Sequence, residues 1–180
     1  MKKIIFTLAV LLTVTAAQAI QPKVLFYGYV IEGDVDAIFE RTEKASNSLD
    51  AVVIDLLDEE GVLKTWTNRK TGFYSVVLDP GKKYTVRFAR PGYITKSFEI
   101  DTRDVPSKDY EEAFKMFTDV TLFPSRNFPD EHTLSTAPVA KCKFDAHRER
   151  LMWDMDYAKI AFDHFLRITG KANEMATEPR

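Results

Sequence analysis

The chain reads as a mainly β protein: a sandwich of about seven strands, followed by a C-terminal strand pair and one amphipathic α-helix. Three observations lead there. From Ile20 onward apolar residues recur with a period of two, the spacing of a strand with one buried face, where a helix would need about 3.6. Turn residues interrupt these runs at short intervals, as in Asp79-Pro80-Gly81-Lys82 and Arg90-Pro91-Gly92-Tyr93. The helical period takes over only near the C-terminus, from Asp156 to Thr169.

The N-terminus sets the expected compartment. Lys2 and Lys3 precede an apolar run from Ile4 to Val14, and Ala17-Gln18-Ala19 supplies a small-x-small cleavage site. This is the pattern of a secretory signal peptide over residues 1–19, and its apolar run is too short for a membrane-spanning helix. The expectation is a periplasmic or secreted protein that is not integral to the membrane. Without the leader, 25 − 2 = 23 basic residues face 27 acidic ones, a formal charge of −4 that argues against nucleic acid as a partner. Cys142 is the sole cysteine, so no internal disulfide forms. It shares strand parity with Ala140 and Phe144, which predicts a buried thiol; pairing with another chain is the alternative.

Val24 to Ile31 is apolar at both parities, which predicts a strand in the middle of a sheet or covered on both sides. Val52, Ile54 and Leu56 mark the second strand, Asp58-Glu59-Glu60-Gly61 turns the chain, and a shorter strand follows from Leu63 to Thr67. Tyr74, Val76 and Leu78 line one face of a fourth strand, and Tyr84, Val86 and Phe88 line one face of a fifth. The turn between them, with Gly81 where a positive φ is needed, predicts a hairpin or close neighbours. Ile94, Phe98 and Ile100 share a face of the sixth, which Lys96 interrupts. Phe114, Met116, Val120 and Leu122 define a seventh, stopped by Pro124. Two polar insertions, 34–47 and 102–112, break this rhythm. Ile38 and Phe39 sit in the first, and end loops of this kind are where sandwich domains place binding residues.

Asn47-Ser48-Leu49-Asp50-Ala51-Val52-Val53, Gly61, Thr67, Thr71-Gly72-Phe73-Tyr74, Leu78-Asp79-Pro80-Gly81, Tyr84 and Pro91-Gly92-Tyr93 together resemble the carboxypeptidase regulatory-like domain, a transthyretin-like (prealbumin-like) β-sandwich. The likeness runs over residues 24–123 and rests on structural steps: Thr-Gly-aromatic-Tyr enters a strand, while Pro-Gly and Gly-Tyr make turns. It implies a bacterial envelope type of domain, appended to exported enzymes, outer-membrane receptors or assembly proteins, that binds or supports without catalysing. The chain departs from the pattern between Glu32 and Ser46. It departs also from the hydrolytic branch of this fold, which uses histidine and arginine and ends in Tyr-Arg-Gly-Ser. Here the chain ends in Thr177-Glu178-Pro179-Arg180, and no histidine lies in the matched segment. The expected organisation is a leader over 1–19, a sandwich over 20–124, an extension with a helix over 125–169, and a polar tail over 170–180.

Candidate chemistry is thin. His132, His147 and His164 are too irregularly spaced for a helical zinc pair, and Cys142 with His147 gives only two ligands. Asp34 and Asp36, between Glu32 and Glu40, lack the ordered oxygen spacing of a calcium loop. Ser75, Ser97 and Ser107 lack the glycines of a nucleophile elbow. Glu111-Glu112 and Asp154-Met155-Asp156 are carboxylate pairs in sequence only. No catalytic residue, metal ligand or cofactor is assigned.

The C-terminal third adds short strands at Val139 to Phe144 and Arg150 to Trp153, then the helix. Asp156, Lys159, Asp163 and Arg167 form its narrow polar stripe, and Tyr157, Ala158, Ile160, Ala161, Phe162, Phe165, Leu166 and Ile168 surround it. That apolar arc is about twice the ~100° a surface helix needs, so the excess needs a cover. His164 lies inside the arc and is read as packed. The cover is either a groove of the chain's own domain or a partner, and Phe162, Phe165 and Leu166, with Ile38 and Phe39, are the candidate partner-binding residues. The leading expectation is a non-catalytic exported accessory module that contacts another cell-envelope or outer-membrane protein through its end loops and C-terminal helix. A carbohydrate or cell-wall binding sandwich, stacking sugars on Tyr27, Tyr29, Trp66, Tyr74 or Tyr93, is the alternative. A hydrolase of unrecognised type is the third reading, and no acid–base pair supports it.

Overall fold

A computed structural model of the chain describes residues 23–34, 47–106, 113–127 and 137–168. The expected leader, Ile38, Phe39, Ser107, Glu111, Glu112 and His132 lie outside these residues. The described part contains strands Val24–Glu32 (β1), Val53–Asp58 (β2), Gly61–Thr67 (β3), Phe73–Leu78 (β4), Lys83–Ala89 (β5), Lys96–Asp101 (β6), Phe114–Phe117 (β7), Val120–Leu122 (β8), Ala140–Asp145 (β9) and Arg150–Trp153 (β10), followed by the helix Met155–Ile168 (α1). The strands form two sheets. One has four strands in the order β4-β1-β7, with β8 also on β1; the other has six, in the order β10-β9-β6-β5-β2-β3.

The period of two does the folding work that it promises. Val24, Phe26 and Val30 of β1 with Tyr74, Val76 and Leu78 of β4 face Ile54, Leu56, Tyr84, Val86, Phe88, Phe98 and Ile100 of the larger sheet, all buried. Rings interlock across this interior: Phe26 lies 5.5 Å from Tyr74 and 5.9 Å from Phe98, and Tyr74 meets Phe88 edge-on at 4.8 Å. Each fully buried large side chain contributes about 1.5–3 kcal/mol of transfer free energy, so the aromatic interlock is a main source of stability. The Tyr74 hydroxyl, drawn into this core, donates to the Thr118 carbonyl at 2.6 Å. Burial and the nearby Asp119 charge both push its phenol well above the ordinary range.

Several expectations change on contact with the topology. The Asp79–Lys82 turn has its positive φ at Gly81, but it is not a hairpin: β4 belongs to the four-stranded sheet and β5 to the six-stranded one. The turn arches from layer to layer because the apolar faces of β4 and β5 pack against each other instead of lying side by side. The seventh strand is two strands, broken at Thr118 and Asp119. Both halves pair in parallel with β1, Val24–Tyr27 with β7 and Val30–Glu32 with β8. Gly28 sits under the break, where a Cβ would lie 2.0 Å from the Thr118 carbonyl oxygen.

The C-terminal strand pair is part of the sandwich. β9 joins β6 in parallel, Phe98 beside Ala140 and Ile100 beside Cys142, and β10 closes that edge. Cys142 is buried, as its parity predicts, and burial followed by the Asp101 and Glu99 charges pushes its thiol up to about 12. Asp154 then caps α1, its carboxylate accepting the Tyr157 amide proton at 2.9 Å.

Candidate functional site

The two outer faces of the sandwich differ in kind. On the six-stranded sheet the outward positions of the inner strands are largely charged and paired, while the edge strand β3 exposes Val62 and Leu63. Arg87 meets Asp55 at 2.7 Å, Lys83 and Lys141 approach Glu99 at 3.0 and 3.5 Å, and Arg103 meets Asp101 at 2.6 Å. Burial pushes the Asp55 carboxyl up, but the Thr65 hydroxyl at 2.6 Å and the Arg87 guanidinium outweigh it and hold the carboxyl below its usual range. Over its inner strands this face is largely occupied by internal ion pairs.

The outer face of the four-stranded sheet is apolar. Alternation along β1 that buries Phe26 and Val30 turns Leu25, Tyr27 and Tyr29 outward. The ladders then set Tyr29 beside Phe73, Tyr27 between Ser75 and Phe117, and Leu25 between Val77 and Lys115. Two edge-on ring pairs result, Tyr27–Phe117 at 5.5 Å and Tyr29–Phe73 at 5.6 Å. Val77 is 58% exposed, Phe117 55% and Tyr29 41%. Polar groups frame the patch: the Arg69 guanidinium stands 5.4 Å from the Phe73 ring, and the Asp119 carboxylate accepts the Tyr29 amide proton at 3.0 Å. Outward faces of soluble sandwiches are ordinarily polar, and a contiguous apolar one is the usual mark of an interaction surface.

The helix candidates separate. Leu166 is buried, at 7% exposure, and Phe165 packs on Phe123 at 5.6 Å, so these two hold α1 to its own domain. Tyr157 adds an anchor, its hydroxyl donating to the Pro138 carbonyl at 2.7 Å beneath the Lys141 ammonium. Phe162 stays on the surface, 42% exposed, with Ile160 and Met155 also exposed. His164, expected to be packed, is exposed: the helix is buried most deeply at Leu166, and His164, seven residues on from Tyr157, lies at the margin of the face that Tyr157, Ala161 and Phe165 turn inward. Ile38 and Phe39 lie outside the described residues.

Of the aromatic residues considered for stacking sugars, Tyr27 and Tyr29 are brought together on the apolar face. Trp66 is half-buried against the core, Tyr74 is buried, and Tyr93 donates its hydroxyl to Glu32 at 3.1 Å. The sequence reading passed over Phe73, Val77 and Phe117. Their signal is present, since each has the solvent parity of a strand whose other parity is core.

Lys96 occupies a core-facing position on β6, opposite Phe88. Its ammonium stands 4.3 Å from the Phe123 ring, a cation–π contact, and has no carboxylate partner among the described residues. Burial pushes it down to about 8. The residue keeps some solvent contact, yet most of the hydration of its amine is lost. Among the described residues no three His, Cys, Asp or Glu side chains converge as a metal site. His147 is exposed in the β9–β10 turn while Cys142 points into the core, so the pair does not meet. No described helix is long and apolar enough to cross a membrane.

Neither a protein-family model nor a curated protein matches the chain. Solved structures with partial likeness include the minor pilin GBS52 of Streptococcus agalactiae, at 12% identity and TM-score 0.37 over 58% of this chain and 45% of that one. 3-Chlorocatechol 1,2-dioxygenase from Rhodococcus opacus 1CP gives 10% and 0.40 over 60% and 62%. The Bacillus anthracis TIE protein gives 17% and 0.37 over 56% and 18%. This chain spans less than two thirds of each. With identities and TM-scores this low, the likenesses carry no activity, partner or compartment over to it.

Proposed function

We propose that the chain is a non-catalytic binding module of the cell envelope, exported by its N-terminal leader, that contacts another envelope protein. The observation that carries this reading is the apolar outer face of the four-stranded sheet, where Tyr29, Val77 and Phe117 stand in solvent while the inner strands of the other sheet turn paired charges outward. The Lys2-Lys3 to Ala19 pattern supports export. The resemblance of residues 24–123 to the carboxypeptidase regulatory-like domain supports an accessory role. Phe162, with Ile160, adds a smaller apolar surface on α1.

The contact is tested by in-envelope crosslinking of the tagged chain, followed by Phe117→Asp and Phe162→Asp. The expected result is loss of a specific crosslinked protein in Phe117→Asp, with the urea midpoint of the purified chain unchanged. A partner that survives both Phe117→Asp and Tyr29→Asp overturns this placement.

A second reading, binding of a cell-wall glycan, is favoured by the two exposed ring pairs, because flat aromatic faces stack on sugars. It predicts retention on peptidoglycan and release by Tyr29→Ala. No retention refutes it.

A further inference from the structure

A free sheet edge offers unpaired backbone groups to any passing strand, and folded proteins blunt such edges with charge, proline, bulges or shortness. Three of the four edges among the described residues are blunted. β3 carries Lys64 near its centre and a bulge at Leu63, where Leu56 lies opposite Lys64 but Leu57 opposite Val62. β7 has 4 residues, includes Lys115, and stops at the break over Gly28; its continuation β8 has 3. β10 has 4 and begins at Arg150. β4 is different. Phe73–Leu78 holds no charge and no proline, and pairs with β1 in unbroken register from Leu78 opposite Val24 to Phe73 opposite Tyr29.

The ladder determines which groups face out. The Val30 amide donates to the Gly72 carbonyl, so alternation turns the backbone groups of Tyr74, Val76 and Leu78 toward β1 and those of Phe73, Ser75 and Val77 away from it. The Phe73 carbonyl accepts the Arg69 amide proton and keeps a second lone pair; the remaining outward groups of this triplet have no partner among the described residues.

We propose that β4 pairs antiparallel with β4 of a second copy about a two-fold axis at Ser75, so that one sheet runs through both copies. This axis pairs the whole outward triplet. It sets Ser75 against its counterpart and Phe73 against Val77 of the second copy, twice, an aromatic and β-branched pairing that strands favour. It also covers Val77, the most exposed apolar residue of the sheet face. An axis at Phe73 or Val77 pairs fewer residues and sets like bulky side chains together. Beyond the strand, the same register brings the Arg69-Lys70 turn of one copy toward Asp79 of the other, a carboxylate that within its own copy pairs with Lys23 and keeps a second oxygen for a basic partner. A closed, self-complementary contact of this kind is the commonest oligomeric arrangement. It does not depend on what the rest of the sheet face binds.

The test uses the whole chain carrying Ser75→Cys. Cys142 is buried and its thiol is pushed up to about 12, so the new thiol is the reactive one. Paired residues across strands lie within disulfide reach. Mild oxidation is expected to give a disulfide-linked dimer from Ser75→Cys and none from Lys115→Cys at the opposite edge. Sedimentation of the unmodified chain is expected to show a dimer whose dissociation constant rises about tenfold or more in Val77→Lys. If Val77→Lys misfolds, the crosslink decides alone. A chain that stays monomeric to about 100 μM, with Ser75→Cys no more crosslinked than Lys115→Cys, overturns the proposal. So does a dimer indifferent to both substitutions.

Discussion

Asn68 follows the last residue of β3, and its side chain joins the crossing between the two sheets to the segment that leads into β2. Its Oδ1 accepts the Val52 amide proton at 3.0 Å, and its Nδ2 donates to the carbonyls of Leu49 at 2.7 Å and Gly72 at 3.1 Å. All of these groups are buried. In Asn68→Ala the Gly72 carbonyl keeps the Val30 amide as a donor, but the Val52 N–H and the Leu49 carbonyl lose their side-chain partner. Orphaning a buried polar group costs about 1–3 kcal/mol, so the expected loss is about 3 kcal/mol in all, or roughly 6–12 °C in Tm for a chain of this size. Asn68→Asp is the sharper variant. It retains the acceptor for Val52 but replaces the donor with a carboxylate oxygen facing two carbonyls, so at neutral pH it is at least as destabilised as alanine. Urea unfolding read by tryptophan fluorescence measures both, with an unchanged m-value showing that the same transition is followed. A loss below about 0.5 kcal/mol for Asn68→Ala, or an Asn68→Asp chain as stable as the original, refutes the reasoning.

Three further expectations rest on separate features. Lys96 has a folded-state pKa of about 8, below the ordinary 10.5, so the desolvation penalty of its charged amine is fully present below pH 8 and fades as pH rises towards 10.5. Lys96→Met is therefore more stable than the original at pH 7, by up to about 3 kcal/mol, and urea midpoints across pH 7–10 should show that gap closing; a constant gap contradicts the burial argument. Gly28→Ala drives a methyl group into the Thr118 carbonyl oxygen and should cost about 2–3 kcal/mol or prevent folding; unchanged thermal unfolding would mean that β1 and the β7–β8 break shift apart freely. On α1, Leu166→Ala should lose about 2–3 kcal/mol, while Phe162→Asp, which gives up a ring stacked on Phe165 at 6.3 Å, should lose less, about 1 kcal/mol, and the reverse order in denaturation would mean that the helix is docked by its other face.

Parity makes much of this molecule legible in its sequence. Tyr74, Val76 and Leu78, or Tyr84, Val86 and Phe88, announce their burial by spacing alone, and Gly81 and Gly92 announce positive φ through the turns that require it. One reading failed, and another was narrowed only by the tertiary structure. The Asp79–Lys82 turn reads equally well as a hairpin or as an arch between layers, since both reverse the chain and both put the same side chains inward. Val24 to Ile31 reads as a strand in mid-sheet or covered on both sides; it is in mid-sheet, between β4 and β7, but nothing among the described residues covers its Tyr27 and Tyr29 side. The helix shows the same limit. Its broad apolar arc called for a cover, yet only the packing of Phe165 on Phe123 tells which part is anchor and which is surface.

By itself, then, the sequence determined the period, the turns, the inward residues of most strands and the pattern of an export leader, because these depend on local backbone geometry and on each side chain's own affinity for water. Tertiary structure decided which sheet each strand joined, that β9 pairs in parallel with β6, which face of α1 is anchored, and that one outer face carries paired charges over its inner strands while the other is largely apolar. Those outcomes depend on contacts between residues far apart in the chain. Whether a tyrosine at an outward position is covered depends on what lies across from it, and its own neighbours in sequence carry no record of that.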